Sequence, residues 1–509
     1  MPSSRPGTHP VTITIDAAHP RQVVPADFAG LSFERGPGDA GVSRNLFTPV
    51  NNSLITLFRN LGLGNLRIGG GTVDMEIPAG MGGDFTGIDN LFAFAAVAGV
   101  KVIYTLRLHN PGTDPAHPHP IHDLRSTNAD AACYIWDRYR EHVASFAIGN
   151  EPDWRSYHRS DPAIFEVPEK PGHVYPGSAY QSYHHHWGSF ADAIRAKAPE
   201  APLSGPDTGA YKDTETYTPN PDSGVSWTER LASDEGASGR IAEVTQHYYV
   251  GDSPGHTTDQ QARSNMLSCE WVNDAEAGVQ PTGTRYTPYP LLYESNFARV
   301  SAGLRYRLTE SNDYLEGVDK ASNAYASALW ALDHLHWWAL HGAAGVNFHN
   351  KPWIDTCTIV PKDRHDPGQG YVINPKGYGI KAFTLGSAGR VKPVQIQNPG
   401  GINLTAYCTG AAGEDYVTVI NKAHGAGAAD AAVTITPPSP GVQGAQVITL
   451  AGAQPGDARG TTVTLGGATI TGDTAWNGTW TTLPTDPQTG ITVTVKATTA
   501  AIIKIHTGG

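Results

Sequence analysis

Eight short apolar segments alternate with longer stretches of helical character between residues 28 and 350, and this pattern limits the possible folds most strongly. They are FAGLSFE (28–34), GNLRIGG (64–70), KVIYTLRL (101–108), ASFAIGNE (144–151), PLSGPD (202–207), EVTQHYY (243–249), LRYRLTE (304–310) and AGVNFHN (344–350). Strands that alternate with helices form parallel sheets, and eight such units favour closure into a (β/α)8 TIM barrel, an α/β fold. The alternative, an open doubly wound sheet, is disfavoured because no G-x-G-x-x-G motif follows the first strand and eight units exceed its usual number, about six.

The sequence changes character after about residue 386. Short segments rich in Thr and Val, such as DYVTVINKA and GITVTVKA, are separated by Gly, Pro and Asp, a spacing typical of an all-β sandwich. The segment VTITIDAAHPRQVV (11–24) is similar and precedes the first barrel strand, so we expect it to add a strand to that sandwich. The predicted organisation is an N-terminal segment at 1–26, a barrel at 27–385 and a C-terminal β-sandwich at 386–509.

The charge balance excludes several kinds of partner. The chain has 36 Lys and Arg against 48 Asp and Glu, a formal net charge of −12 at pH 7. Nucleic acids and anionic membranes bind basic faces, so neither is an expected partner. The sequence also lacks an apolar run of about eighteen residues, the length that predicts a membrane span. We expect a monomer.

The N-terminus and the cysteines bear on the compartment and on metal binding. The first residues, MPSSRPGTHP, lack the apolar region of a signal peptide. We expect a secreted or periplasmic protein whose leader is removed, with a cytoplasmic location as the alternative. The four cysteines lack the C-x-x-C spacing of zinc and iron–sulfur sites, so we expect no metal and no cofactor. Buried thiols are expected, with one disulfide as the alternative.

Two glutamates end strands of the predicted barrel. Glu151 ends ASFAIGNE directly after Asn150, and Glu310 ends LRYRLTE. Polar residues at the carboxyl ends of barrel strands face one common mouth. A buried strand-end carboxylate is costly unless it is paired or functional, and a salt bridge with Arg67 or Arg107 is the structural alternative for either glutamate alone. Two carboxyl groups on the fourth and seventh strands instead suit glycosidic cleavage, which needs one protonated and one ionised carboxyl group.

These motifs resemble those of a known group of enzymes. Asn-Glu-Pro after the fourth strand, with Glu after the seventh, is typical of the retaining clan A of (β/α)8 glycoside hydrolases. Further segments resemble glycoside hydrolase family 79, the heparanase/β-glucuronidase family. They are SFE (32–34), LRIGGGTVD (66–74), IGNEPD (148–153), QHYY (246–249) and TESNDYLEGVDKASNAYASALWALD (309–333). The resemblance spans essentially the whole chain, including the sandwich completed by an N-terminal strand.

The resemblance implies roles at matching positions. Glu151 would be the acid/base and Glu310 the nucleophile, while Asn150 would bind the 2-hydroxyl of the sugar, where hydrogen bonds strengthen at the transition state. Glu34 would accept hydroxyls of the sugar in the −1 subsite.

Two further residues are expected beneath the nucleophile. His247 and Tyr248 would line the site there, with a tyrosine hydroxyl orienting Glu310.

Recognition of a sugar carboxylate would involve the loops after the last two strands. Gly317 falls where the family presents backbone N–H groups to the C6 carboxylate, and such donors bind an anion without a local cation. Here Glu316 precedes Gly317, where relatives can have consecutive glycines, and it would repel a carboxylate unless turned outward. Lys351 would supply positive charge, a solvated loop lysine being the alternative. Tyr371, or Tyr378 in its place, would be the tyrosine that the family contributes from this region.

The sequence therefore predicts a retaining β-glycosidase acting on a carbohydrate or glycoconjugate. A β-glucuronidase that cleaves terminal β-linked glucuronic acid by double displacement is the specific expectation. One alternative is a β-glycosidase of the same clan acting on a neutral sugar. The other is a non-catalytic carbohydrate-binding protein.

Overall fold

A computed structural model describes most of the chain. The described residues are 7–35, 46–73, 84–108, 124–153, 166–167, 170–174, 179–209, 226–251, 257–268, 289–298, 300, 303–351, 354–363, 366–436, 441–486 and 490–507.

Eight parallel strands close into a barrel. The strands up to the last barrel strand are β1 (Thr8–Ile15), β2 (Ala29–Glu34), β3 (Asn65–Gly69), β4 (Lys101–Leu106), β5 (Val143–Ile148), β6 (Glu166–Val167), β7 (Lys170–Val174), β8 (Leu203–Thr208), β9 (Ile241–Gly251), β10 (Arg305–Tyr314) and β11 (Gly345–His349). The barrel runs β2-β3-β4-β5-β8-β9-β10-β11 and closes between β11 and β2. The (β/α)8 prediction is confirmed, and each of the eight predicted segments overlaps one barrel strand.

The described helices cover the outside of the barrel. They are α1 (Asn52–Leu61), α2 (Thr86–Ala98), α3 (Leu124–Tyr139), α4 (Ala179–Lys197), α5 (Trp227–Gly236), α6 (Asp259–Met266), α7 (Tyr289–Leu292), α8 (Tyr325–Leu340) and α9 (Pro375–Gly386). Local sequence sets several of their ends. The Asn51 side chain accepts from the amide of Leu54 to cap α1, and Gly62, with φ +70°, ends that helix in the left-handed conformation.

No helix in the described ranges is both long enough and apolar enough to cross a membrane.

The remaining strands form the β-sandwich and a small hairpin. They are β12 (Ile359–Pro361), β13 (Tyr371–Ile373), β14 (Arg390–Lys392), β15 (Val394–Gln397), β16 (Leu404–Ala411), β17 (Glu414–Asn421), β18 (Asp430–Thr436), β19 (Val442–Gly452), β20 (Val463–Leu465), β21 (Thr481–Leu483), β22 (Thr485–Asp486), β23 (Gly490–Val495) and β24 (Thr499–Thr507). One sheet has the order β15-β1-β18-β23-β22 and the other β14-β16-β17-β24-β19-β20. Because β1 pairs with both β15 and β18, the N-terminal strand completes the sandwich as predicted.

Helix α8 lies between the barrel and the sandwich. All but the last of its residues are buried, as expected for a helix covered on every side. Asp333 on this helix accepts hydrogen bonds from Thr405, Tyr407 and Lys422 of the sandwich, at 2.6, 2.8 and 3.1 Å. Both side chains of the Asp333–Lys422 ion pair are buried. This contact is therefore a specific link between the two domains.

Three cysteines fall within the described residues. Cys357 and Cys408 are buried thiols, and Cys133 is a half-buried one. Cys269 lies outside the described residues.

Candidate active site

Glu151 and Glu310 face each other at the carboxyl-terminal mouth of the barrel. Glu151 follows β5, and Glu310 lies on β10, on the far side of β8 and β9. One carboxylate oxygen of each glutamate and a ring nitrogen of His247 on β9 all lie within 4.8 Å of one another. The Glu151 side chain is 20% exposed and that of Glu310 is 8% exposed. The barrel therefore brings together two carboxyl groups that are far apart in sequence.

The backbone turns sharply where Glu151 follows its strand. Gly149 has φ +86° and Glu151 has φ +46°, so both adopt left-handed conformations. The amide of Glu151 donates to the carbonyl of Asp207 at 2.9 Å, which joins the ends of β5 and β8. A non-glycine residue with positive φ is uncommon, and such residues cluster at functional sites.

Arg67 on β3 is fully buried and bonds to several polar side chains of the site. Its Nη1 donates to Glu310 Oε2 at 2.8 Å and to Ser32 Oγ at 3.0 Å. Its Nη2 donates to Asn150 Oδ1 at 2.7 Å and to Asp207 Oδ2 at 3.0 Å. The planar guanidinium presents several donors in a fixed arrangement, so one residue orients groups on four different strands or strand ends. The salt bridge considered as a structural alternative for Glu310 does form.

The surroundings of Glu310 favour its ionised form. Burial alone would raise the pKa of Glu310, but the imidazoles of His349 and His247 act against it. The charge of Arg67 and a hydrogen bond from Tyr249 act in the same direction, and together these groups hold that pKa well below its usual range. Tyr249 donates to Glu310 Oε1 at 2.5 Å. Each carboxylate oxygen thus has its own donor.

His247 connects the two glutamates. Its Nδ1 lies 2.7 Å from Glu151 Oε1 and 3.9 Å from Glu310 Oε2. Burial lowers the pKa of His247, but the negative charges of Glu310 and Glu151 outweigh this and raise it. The two carboxylates thus stabilise the protonated form of this imidazole relative to its neutral form.

Glu34 is held at the end of β2 by the turn that follows β3. Its Oε2 accepts from the backbone amide and the hydroxyl of Thr72, at 2.9 and 2.6 Å. A Cβ on Gly70, which has φ +75°, would collide with this carboxylate, so glycine is needed there for close approach. His349 Nε2 lies 3.6 Å from Glu34 Oε1, and its Nδ1 lies 3.6 Å from Glu310 Oε2. His349 thus connects Glu34 to the same cluster.

Tyr248 lies outside this cluster, so the prediction that it lines the site is wrong. Its ring is 1% exposed and packs behind the strand against aromatic residues of α7 and α8. Side chains alternate along a strand, which places His247 and Tyr249 on the inner face and Tyr248 on the outer face. The hydroxyl that orients Glu310 belongs to Tyr249. Tyr249 can be identified from the sequence, because residues two apart in a strand share a face and Tyr249 lies two residues after His247.

The structure does not support the predicted role of Gly317. Its amide donates to the carbonyl of Tyr314 at 3.2 Å, so that N–H is already used within a turn. A Cβ at Gly317 would collide with the backbone amide of Thr356, and this close packing together with φ +86° accounts for the glycine. Glu316 is exposed, and Lys351 is exposed directly after β11. A contact between Lys351 and substrate stays a prediction.

Tyr371 and Tyr378 are bonded to α1 and to the sandwich. The backbone amide of Tyr371 donates to Ser53 Oγ at 2.9 Å, and its hydroxyl bonds to Asn51, so this residue is fixed at the start of α1. Tyr378 lies in α9 and accepts from the amide of Ile470 in the sandwich at 3.1 Å. The contacts described for the two tyrosines do not include the carboxylate cluster, and a contact of either with substrate stays a prediction. The loops after the last strand carry no periodicity that could have placed these residues.

Arg67, Tyr249, His349 and Asp207 contact the cluster but are absent from the predicted substrate-binding set. All four lie at or near carboxyl ends of barrel strands, which is the sequence pattern that could have identified them.

The only group of possible metal ligands found among the described residues is Glu151, His247 and Glu310. An imidazole and two carboxylates can bind a divalent cation. Here Arg67 already provides a positive charge 2.8 Å from Glu310, which disfavours a second cation.

Comparisons with known proteins identify the fold. No family sequence model matches the chain, and no curated protein sequence matches it. Solved structures match nearly its full length. A 4-O-α-L-rhamnosyl-β-D-glucuronidase from Fusarium oxysporum 12S is 16% identical with a TM-score of 0.67, covering 97% of this chain and 99% of its own. A family 51 arabinofuranosidase from Xanthomonas axonopodis pv. citri is 15% identical with a TM-score of 0.63, covering 98% and 100%.

A family 44 xyloglucanase from Paenibacillus polymyxa is 13% identical with a TM-score of 0.63 and covers 98% of this chain and 100% of its own. At such identities the likeness establishes the fold. The barrel and its sandwich have the same architecture as these three glycoside hydrolase structures.

Proposed function

We propose that the protein is a retaining β-glycosidase, specifically a β-glucuronidase that releases terminal β-linked glucuronic acid. The observation that carries this proposal is the separation of Glu151 and Glu310, whose nearest oxygens lie within 4.8 Å. Retaining glycosidases place their carboxyl groups about 5 to 5.5 Å apart, whereas inverting ones need about 6.5 to 9.5 Å to admit a water molecule. The short separation favours direct attack by one carboxylate.

Glu310 is the better nucleophile because its surroundings keep it ionised and fixed. Arg67 and Tyr249 each donate to one of its oxygens, and both lower its pKa. Glu151 contacts His247 and is more exposed than Glu310, which suits a group that exchanges protons with a leaving group and with water.

The reaction proceeds in two displacements. Glu310 attacks C1 of the sugar to form an ester, while Glu151 donates its proton to the glycosidic oxygen, which leaves as an alcohol. Glu151 then takes a proton from water, and the hydroxide attacks C1, breaks the ester and releases the sugar in the β configuration.

Asn150 and Glu34 position the sugar. The Asn150 carbonyl oxygen is occupied by Arg67, which leaves its amide nitrogen to donate to the 2-hydroxyl. Glu34 is fixed by Thr72 and accepts sugar hydroxyls.

Glucuronic acid is proposed as the sugar for two reasons. The block that follows Glu310 resembles family 79, and one of the similar structures is a glucuronidase. Glu316 does not oppose this assignment, because its side chain is exposed to solvent.

A neutral sugar is the second candidate. The amide of Gly317 is used within its own turn, and Glu34 adds negative charge beside Glu310. Both observations favour a substrate without a carboxylate.

A panel of p-nitrophenyl β-glycosides tests the proposal. We expect cleavage of the glucuronide in preference to the glucoside, galactoside and xyloside. Proton NMR should show the β anomer as the first product, and Glu310→Gln should lower kcat by about 10⁴-fold or more. Glu200→Gln, at an exposed surface position, is the control.

Each other result is informative. If the protein cleaves only a neutral glycoside, the second candidate, a glycosidase acting on a neutral sugar, replaces the β-glucuronidase. A first-formed α anomer contradicts retention, and binding without turnover identifies a carbohydrate-binding protein.

A further inference from the structure

Asp207 is completely buried at the end of β8, and each of its hydrogen-bonding groups has a partner on a different strand or strand end. Its Oδ2 accepts from Arg67 on β3 at 3.0 Å, and its Oδ1 accepts from Thr309 on β10 at 2.5 Å. Its amide donates to Thr245 Oγ1 on β9 at 3.1 Å. Its carbonyl accepts from the amide of Glu151 at 2.9 Å.

Asp207 and Thr309 are both inserted residues in the barrel register. On one side of β9, Pro206 pairs with Thr245 and Thr208 with Gln246, which leaves Asp207 extra. On the other side, Leu308 pairs with Gln246 and Glu310 with His247, which leaves Thr309 extra. Bulges are rare between parallel strands and are over-represented beside active sites. These two bulges flank β9 and are joined by the hydrogen bond between their side chains.

Asp207 constrains the two glutamates by different routes, since its carboxylate acts on Glu310 and its carbonyl acts on Glu151. Thr309 directly precedes Glu310, and Arg67 binds both Asp207 and Glu310, so the carboxylate of Asp207 constrains the nucleophile from two directions. Its carbonyl constrains the backbone of Glu151. Asp207 and Glu151 both adopt left-handed conformations, with φ +54° and +46°, which few non-glycine residues tolerate without external support.

We propose that Asp207 is a positioning residue that sets the separation between Glu151 and Glu310. This inference rests on the glycosidase function proposed above. Asp207 is fully buried, so it acts through Arg67, Thr309 and the Glu151 backbone and not by direct contact with a bound sugar.

The test compares Asp207→Asn with a matched variant at the opposite end of the barrel. Asparagine has the same size and tolerates left-handed φ, but it loses the charge. Glu243 is also a buried carboxylate that binds a barrel arginine, Arg307, at 3.0 Å, and it lies near the start of β9. Glu243→Gln therefore reports the purely structural cost of losing such a pair.

We expect Asp207→Asn to lower kcat by about 100-fold per folded molecule, with little change in KM, since small misplacements of catalytic groups cost this much. Glu243→Gln should keep the wild-type kcat, although it lowers the melting temperature. The loss in Asp207→Asn should be similar for phenyl and 2,4-dinitrophenyl glycosides, because asparagine keeps the backbone carbonyl that holds Glu151 and the lost charge acts on Glu310.

Wild-type kcat in folded Asp207→Asn overturns the proposal, and so does a loss confined to the phenyl glycoside, which would place the effect on Glu151 and not on Glu310. If Asp207→Asn does not fold, Thr309→Val removes one of the same hydrogen bonds, and about a tenfold fall in kcat at constant KM is expected. A wild-type protein that cleaves no glycoside refutes the proposed function and this inference with it. An active wild type with unaffected variants refutes this inference alone.

Discussion

Arg67 and Glu310 form a buried ion pair in which Nη1 lies 2.8 Å from Oε2 and the side chains are 0% and 8% exposed. The same guanidinium also pairs with Asp207 at 3.0 Å, so one cation compensates two carboxylates. A buried ion pair is weak evidence of stabilisation, because desolvation offsets much of the attraction. Removing the arginine is costly all the same, because two carboxylates then lie in the barrel without a compensating charge.

Replacing Arg67 should affect both stability and the pH dependence of catalysis. We expect Arg67→Met to lower the free energy of unfolding by about 3 to 5 kcal/mol, measured in urea. Loss of the cation raises the pKa of Glu310, and the nucleophile must be ionised, so the acidic limb of kcat/KM should move to higher pH. Arg67→Lys keeps the positive charge, so it should move the acidic limb less than Arg67→Met does. An acidic limb that stays in place in Arg67→Met would contradict the role of Glu310 as nucleophile.

The adjacent tyrosines of β9 should have separate effects. Tyr249→Phe removes the donor to Glu310 Oε1, and we expect kcat to fall by about 10- to 100-fold with little loss of stability. Tyr248→Phe is the matched control. Its ring packs outside the barrel, so it should keep kcat within about twofold and change only the melting temperature. Steady-state kinetics that show the opposite order would mean that the inner and outer faces of β9 are assigned incorrectly.

Glu235 at the end of α5 should make stability depend on pH. Burial raises its pKa, but hydrogen bonds from His184, Arg240 and Ser238 outweigh this and lower it to about 2. A lowered pKa in the folded state stabilises the protein above the ordinary value of 4.5, and that contribution is lost as the pH falls towards 2. We expect Glu235→Gln to cost about 3 kcal/mol at pH 7 and less than half of that at about pH 3.

Urea denaturation at the two pH values measures this difference, with the exposed Glu200→Gln as control. An equal loss at both pH values would show that Glu235 contributes through packing and not through charge.

The link between the domains should behave as a coupled pair. Asp333→Asn and Lys422→Met each break the buried ion pair, and each should lower the free energy of unfolding by about 3 to 5 kcal/mol. The double variant should cost less than the sum of the two, because no charge remains unpaired. Lys496→Met disrupts an exposed pair with Asp430 in the same sandwich and should cost less than about 1 kcal/mol. Additive losses in a thermal or urea double-mutant cycle would argue against direct coupling.

The periodic parts of the structure could be predicted from the sequence. The eight barrel strands and the sandwich completed by β1 follow from apolar runs, helical spacing and turn residues, which are local properties of the chain. The two glutamates could also be predicted to converge, because parallel strands carry their carboxyl ends to one mouth.

Local sequence patterns could not predict the positions of residues that depend on the exact strand register or that lie in loops. The sequence predicts Tyr248 at the site where the structure has Tyr249, because these adjacent residues differ only in which face of β9 they occupy. Tyr371 and Gly317 lie in connections without periodicity, and packing against α1 and against Thr356 decided where they lie.

The sequence by itself determined that Glu151 and Glu310 meet at the mouth of a barrel, because strand order and direction follow from local patterns. Only the tertiary structure decided how far apart they stand and how strongly the ionised form of Glu310 is favoured. Those properties depend on Arg67, Tyr249 and the inserted residues Asp207 and Thr309, whose contacts join strands distant in sequence. Electrostatic effects act through space at distances of a few ångströms, so they appear only when the barrel has closed.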